Sequence, residues 1–221
     1  MNPVAKRTFT GLAVGAAAIC AILFIPPKAA VPVVGALVAL AVAEYALLLR
    51  KKFPRVTPVS VCWLVAGAAF IAGGLSMLAM IVNTYNNVML LYVIAIIKFS
   101  DVGGFAFGLT SAKCMKGGNH KMCPGISPNK SWEGMAGSIL LSSLVSCCFI
   151  PATHFPLAKA LVFGVAAAVL GTLGDLVESK FKRWIGVKDS SAMKFTNGMG
   201  GFLDMFDSLL IAPAILYFFI R

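Results

Sequence analysis

Three carboxylates, Asp175, Asp204 and Asp207, mark the C-terminal third of the chain, and five basic residues, Lys180, Lys182, Arg183, Lys188 and Lys194, lie between the first of them and the second. Acids spaced i and i+3 project from one side of a helix. With a third acid they make an oxygen-only donor set that suits Mg²⁺, an ion that takes one or two carboxylates and fills its shell with phosphate oxygens and water. Cations beside them suit the remaining phosphate charge. Phosphoryl or nucleotidyl transfer asks for little else, because positioning and electrostatic stabilisation supply most of the catalysis. The residues therefore read as a metal and catalytic group, Asp175, Asp204 and Asp207, with Lys130, Lys182, Arg183 and Lys188 around phosphates.

Charge is scarce elsewhere, which gives the cluster its weight. Of the 8 acidic residues among 221, five fall between Gly174 and Ser208, and seven lie after position 100. An acid in or beside an apolar span costs several kcal/mol unless it is paired, hydrated or bound to a metal. The chain is 59% hydrophobic and only 12% charged. So little polar surface cannot cover a soluble globule, and the composition predicts an all-α, polytopic membrane protein. The net charge of +11 is then explained by lipid headgroups and orientation, with no nucleic-acid partner expected. Cys114, His120 and Cys123 share a loop, but three ligands without a recognisable spacing do not make a zinc site.

Seven apolar spans are expected: Phe9 to Ile25, Val31 to Leu49, Val59 to Val82, Val88 to Leu109, Met135 to Ile150, Leu157 to Leu173 and Gly201 to Ile220. With the N-terminus in the cytoplasm, 15 basic residues fall inside and 3 outside, which the positive-inside rule favours. Residues 1–100 read as N-terminal transmembrane helices and 101–221 as the catalytic transmembrane region of one integral unit. Glu44, near the basic end of the second span, reads as snorkelling or pairing at the interface. Lys98 and Asp101, at i and i+3, can pair.

Three ordered motifs carry a family resemblance. Ser179-x-x-Lys182-Arg183-x4-Lys188-Asp189, followed by Gly200-Gly201-x-x-Asp204-x-x-Asp207-Ser208, resembles the C-terminal signature of phosphatidate cytidylyltransferases. Ser127-Pro128-Asn129-Lys130-Ser131-Trp132-Glu133-Gly134 is similar to that family's Ser-Pro-x-Lys-Thr-x-Glu-Gly motif, and Asp101-Val102-Gly103-Gly104 to its Asp-Thr-Gly-Ala segment. Met199 and Met205 stand where the family pattern has His and Arg.

The resemblance implies transfer from CTP to phosphatidate or a related anionic lipid, giving CDP-diacylglycerol and pyrophosphate with Mg²⁺, at a bacterial inner membrane. It adds Lys188 and Asp189 to the catalytic set, and Asp101, Ser127, Lys130, Glu133, Lys182 and Arg183 to the substrate-binding one. A homodimer is left open. The alternatives are a CTP-dependent kinase, a CDP-lipid synthase for another lipid, or an ion-coupled transporter using the intramembrane carboxylates.

Overall fold

The computed structural model describes residues 19–24, 26–115, 118–187 and 201–220. Within them the helices start where the sequence offers a cap or a proline. α1 (Pro27–Lys52) has proline in its first turn, where a missing N–H costs nothing. α2 (Pro58–Thr84) opens on a capping box in which the Thr57 hydroxyl accepts from Ser60 N–H at 3.2 Å and the Ser60 hydroxyl accepts from Thr57 N–H at 2.9 Å. The Asn86 side chain caps α3 (Asn87–Cys114) by accepting from Met89 N–H at 2.8 Å. An antiparallel hairpin follows, β1 (Lys121–Cys123) with β2 (Ser127–Ser131). Ser131 then caps α4 (Trp132–Cys148), a helix of 17 residues, by accepting from Gly134 N–H at 3.1 Å. A single turn, α5 (Ile150–Thr153), leads into α6 (Leu157–Ile185).

Two expected boundaries are corrected. The sixth span, expected to end at Leu173, is a helix of 29 residues that runs on to Ile185, which puts Asp175 well inside the helix and Lys182 and Arg183 in its last turn and not in a loop. No glycine or proline interrupts the chain between Asp175 and Ile185. The helix stops at Gly186, whose φ of +88° a side chain would oppose, with the Gly186 and Val187 N–H groups both returning to the Lys182 carbonyl. The last span is not one regular helix either. It divides into α7 (Phe202–Phe206), a 3₁₀ turn (Asp207–Leu209) and α8 (Ala212–Ile220), because Pro213 cannot bond back into a preceding turn.

Among the described residues, five segments are long and apolar enough to cross a membrane, Pro27–Lys52, Pro58–Thr84, Asn87–Cys114, Leu157–Ile185 and Phe202–Ile220, while Trp132–Cys148 is apolar but shorter. Most of the expected first span lies outside the described residues. The exterior is apolar, with Phe105 73%, Val162 65% and Phe218 69% exposed, whereas Glu44, Ser100, Ser138, Ser142, Ser146 and Glu178 are buried. An apolar surface over an interior that also holds serines and carboxyls fits lipid as the solvent.

Small residues set the helix spacing. α3 and α4 touch backbone to backbone, since a β-carbon on Gly103 would collide with the Gly137 carbonyl. Serines fix the register of α4: Ser138 Oγ donates to the Ser100 carbonyl on α3 at 2.9 Å, while Ser142 and Ser146 donate to the Gly164 and Ala160 carbonyls on α6 at 2.7 and 2.6 Å. Further along α6, a β-carbon on Gly174 would strike the Asp207 carbonyl, so the broken C-terminal segment lies directly against the helix that carries Asp175.

Candidate active site

Helical spacing on α6 places Asp175, Glu178 and Lys182 on one stripe, at i, i+3 and i+7. Facing this stripe is the segment of α7 and the 3₁₀ turn. Lys182 Nζ donates to Asp204 Oδ1 at 2.6 Å and stands 3.6 Å from Glu178 Oε1. Asp204 also accepts the Gly201 N–H at 2.8 Å through its other oxygen, so it caps α7 while neutralising Lys182. Asp207 Oδ1 accepts from Ser208 N–H at 2.6 Å, and its carboxyl lies against those of Asp175 and Glu178.

The third wall comes from α3. Lys98 Nζ bonds Asp101 Oδ2 at 3.3 Å, the Met205 carbonyl at 3.1 Å and Ser208 Oγ at 2.9 Å, and Ser208 Oγ donates to Asp101 Oδ2 at 3.0 Å. The Lys98–Asp101 pair read from the sequence is thus present, and it is tied to the C-terminal segment.

The fourth wall is the end of β2. Lys130 Nζ bonds Asp175 Oδ2 at 2.7 Å and the Thr172 carbonyl at 3.4 Å. Asp101, Ser127, Lys130 and Asp175 line one cavity of about 260 Å³, together with backbone and side chains of Gly104, Ser131, Gly134 and Thr172. A second cavity, of about 230 Å³, is apolar. Tyr45, Trp63, Phe70, Phe181 and Leu210 line it, and Glu178 stands in its wall.

The expected metal triad is not assembled as drawn from the sequence. Among the described residues no three His, Cys, Asp or Glu side chains are arranged to hold one ion, because Asp204 is taken up by Lys182 and by its own helix cap. Asp175 and Asp207 do meet. Carboxylates in contact repel unless a proton or a cation lies between them. Asp175 Oδ1 and both Glu178 oxygens are buried without a hydrogen-bond donor among the described residues. Crowded, donor-poor oxygen ligands fit a hard divalent cation of the Mg²⁺ type, and Asp175 with Asp207 is the pair able to hold it. Cys114, His120 and Cys123 do not gather into a metal site either.

Other expected residues fall as follows. Glu133, in the first turn of α4, accepts from the His120 backbone N–H at 3.1 Å and meets its ring Nδ1 at 2.6 Å. The His120 ring contact and the backbone amides hold the Glu133 carboxyl below its ordinary range. Glu133 therefore anchors the hairpin to α4 and does not line the cavity. Arg183 is exposed on the last turn of α6 and makes no ion pair among the described residues. Lys188, Asp189 and Met199 lie outside the described residues.

The residues missed from the sequence are Glu178, Lys98 and Ser208 as members of the site, and Glu44. Contrary to the expectation of an interfacial acid, Glu44 is completely buried, and it bonds the backbone of Leu203. The stripe Asp175, Glu178, Lys182 was available as a spacing signal once α6 is allowed to continue.

The Cytidylyltransferase family matches the chain over residues 59–221. Over 129 residues, 58% of its length, the chain is 40% identical to a phosphatidate cytidylyltransferase of Staphylococcus aureus, covering 46% of that protein. It is 39% identical over 130 residues to a phosphatidate cytidylyltransferase of Staphylococcus epidermidis and 36% identical over 129 residues to one of Staphylococcus saprophyticus, with the same coverage. The chain spans about half the length of the curated relatives it matches.

Proposed function

The chain belongs to the cytidylyltransferase family, and from that premise we propose that it transfers the cytidylyl group of CTP to phosphatidate or a closely related anionic lipid, releasing pyrophosphate. The observation that carries the reading is the junction of Lys130, Asp101 and Asp175 in one cavity beside the crowded Asp207 and Glu178 carboxyls. A nucleotide triphosphate needs cations and a metal-holding acid pair in one place. The apolar cavity that shares Glu178 with this cluster supports a lipid as the second substrate. An ion-coupled transporter is not favoured by the family.

In the proposed reaction an oxygen of the lipid phosphate attacks the α-phosphorus of CTP, the bond from that phosphorus to the oxygen bridging to the β-phosphate breaks, and pyrophosphate leaves. Lys130 acts as a point charge on the phosphates. Lys98, held by Asp101 and Ser208, fixes the segment that carries Asp207. Wall residues of the apolar cavity keep water from the lipid side of the site. Asp175 and Asp207 would hold a Mg²⁺ ion, which when bound neutralises phosphate charge and polarises the phosphoryl oxygens. Residues 101–221 form the catalytic region in this reading, within a multi-pass protein of the bacterial inner membrane, and the mass of the purified protein in detergent tests for a homodimer.

Purified protein given CTP labelled in the cytidine, Mg²⁺ and phosphatidate is expected to yield a CDP-lipid and an equal amount of pyrophosphate, and none of either with EDTA. Label confined to free nucleotide overturns the reading. Transfer of the γ-phosphate to lipid, with CDP as the free product, replaces it by a kinase.

Lys130→Ala is expected to weaken CTP binding by about tenfold or more, the size of a lost charge-assisted hydrogen bond. Titration of the purified variant with CTP measures it. Unchanged affinity and turnover remove Lys130 from the phosphate site.

A further inference from the structure

The charged groups proposed above to act on the phosphates lie from Lys98 onward, and the family match begins at residue 59. α1 gives that reading only Tyr45, in the wall of the apolar cavity. Yet Glu44, in the C-terminal half of α1, is completely buried, on the same stripe as Ala41, Tyr45 and Leu48. A carboxylate there costs more to place in an apolar helix than glutamine or leucine does, so it needs a use. Its Oε2 accepts the Leu203 N–H at 2.6 Å across 159 positions of sequence. Leu203 is itself buried and belongs to the first turn of α7, beside Asp204 and four residues before Asp207.

First-turn N–H groups have no acceptor within their own helix. α7 has five residues and passes straight into a 3₁₀ turn, so it is too short to hold its shape from internal hydrogen bonds. Outside ties must hold it. Lys182 on α6 holds Asp204, and Lys98 on α3 holds the Met205 carbonyl and Ser208. Glu44 adds a tie from α1, and a hydrogen bond in a low-dielectric interior is electrostatically stronger than one in water.

We propose that Glu44 is a positioning residue for the cytidylyl transfer: through Leu203 its carboxylate fixes the first turn of α7 and thereby sets Asp207 against Asp175. The role rests on the proposed reaction, while the hold on α7 is independent of it.

The test compares wild-type, Glu44→Gln and Glu44→Leu proteins purified in detergent. Glu44→Leu is expected to lower kcat by about tenfold, the equivalent of leaving one buried amide without its acceptor, to leave the KM for CTP unchanged, and to raise the Mg²⁺ concentration needed for half-maximal rate. Glu44→Gln, which keeps one carbonyl acceptor but puts an amide NH₂ in place of the second oxygen, is expected to fall between. Hydrogen exchange of the peptide containing 201–209 should quicken in the same order, with exchange in α2 and α3 unchanged. Wild-type exchange at 201–209 in both variants overturns the hold, and so does an increase spread evenly over all helices. Faster exchange there, with kcat and Mg²⁺ dependence unchanged, overturns the positioning role. If Glu44→Leu does not accumulate, wild-type exchange and kcat in Glu44→Gln overturn the proposal. Should the wild-type protein transfer no cytidylyl group, the functional reading fails, and the exchange data still decide whether Glu44 holds α7.

Discussion

Asp175→Asn and Asp207→Asn are each expected to lower the CTP-dependent rate by roughly 100-fold to 1000-fold, the range seen when one preorganised electrostatic contact is removed from a site, with the protein still folded in the membrane. Asn keeps the size of Asp and removes its charge, and a neutral amide is a poor ligand for Mg²⁺. At position 175 the change also strips Lys130 of the partner 2.7 Å away. At position 207 it relieves the crowding against Asp175 and Glu178, so the variant should be no less stable than the parent while losing activity. Asp204→Asn should behave differently. Asp204 pairs with Lys182 and caps α7, so its loss is expected mainly as a lower thermal midpoint, with a smaller fall in rate. Initial rates and thermal unfolding of the three variants separate these outcomes. Near-normal rates in both Asp175→Asn and Asp207→Asn would place the metal elsewhere.

The largest effect on stability is expected from Gly103→Val. An ideal β-carbon there meets the Gly137 carbonyl and carbon, and Leu141 Cβ at 3.0 Å. The first two are backbone, so no rotamer change relieves the contact. Overpacking typically costs about 1–3 kcal/mol, and a clash that can be relieved only by parting two helices belongs at or beyond the upper end. Parting α3 from α4 also breaks the Ser138 to Ser100 bond and draws Asp101 away from Ser208. Both folded yield and activity should fall. Gly35→Ala is the control: nothing lies within 4 Å of its β-carbon, and alanine in a helix interior is favoured by about 0.5–1 kcal/mol. Thermal unfolding in a single detergent compares the two. A Gly103→Val protein as stable as the parent would mean that α3 and α4 are not held at backbone contact.

Much of the architecture was legible because membrane helices announce themselves by apolar length. The Lys98–Asp101 pair was legible because i and i+3 neighbours meet whatever surrounds them. α6 was cut short because hydropathy fails at Asp175 while helical structure does not, the charges there being paired along the helix as Glu178 with Lys182. Lys182 and Arg183 were accordingly placed in a loop. The pairing of Asp204 with Lys182 in place of a metal depended on the break of the last span into α7 and a 3₁₀ turn. Glu44 was beyond reach for a different reason. Its partner is a backbone amide far along the chain, and an amide leaves no mark in the sequence.

α4, with its 17 residues, rises only about 25 Å, while the hydrocarbon of an average bilayer is about 30 Å thick. A helix of this length, if it crosses, is accommodated by thinning of the surrounding lipid, since tilting makes the mismatch worse. α4 is pinned to α3 and α6 by Ser138, Ser142 and Ser146, so it cannot slide toward one leaflet on its own. Its N-terminal cap is Ser131, which lines the same cavity as Lys130. The annulus of lipid should therefore be pinched beside that cavity, which shortens the path by which a headgroup descends to Lys130 and makes the rate sensitive to the acyl-chain length of the host membrane.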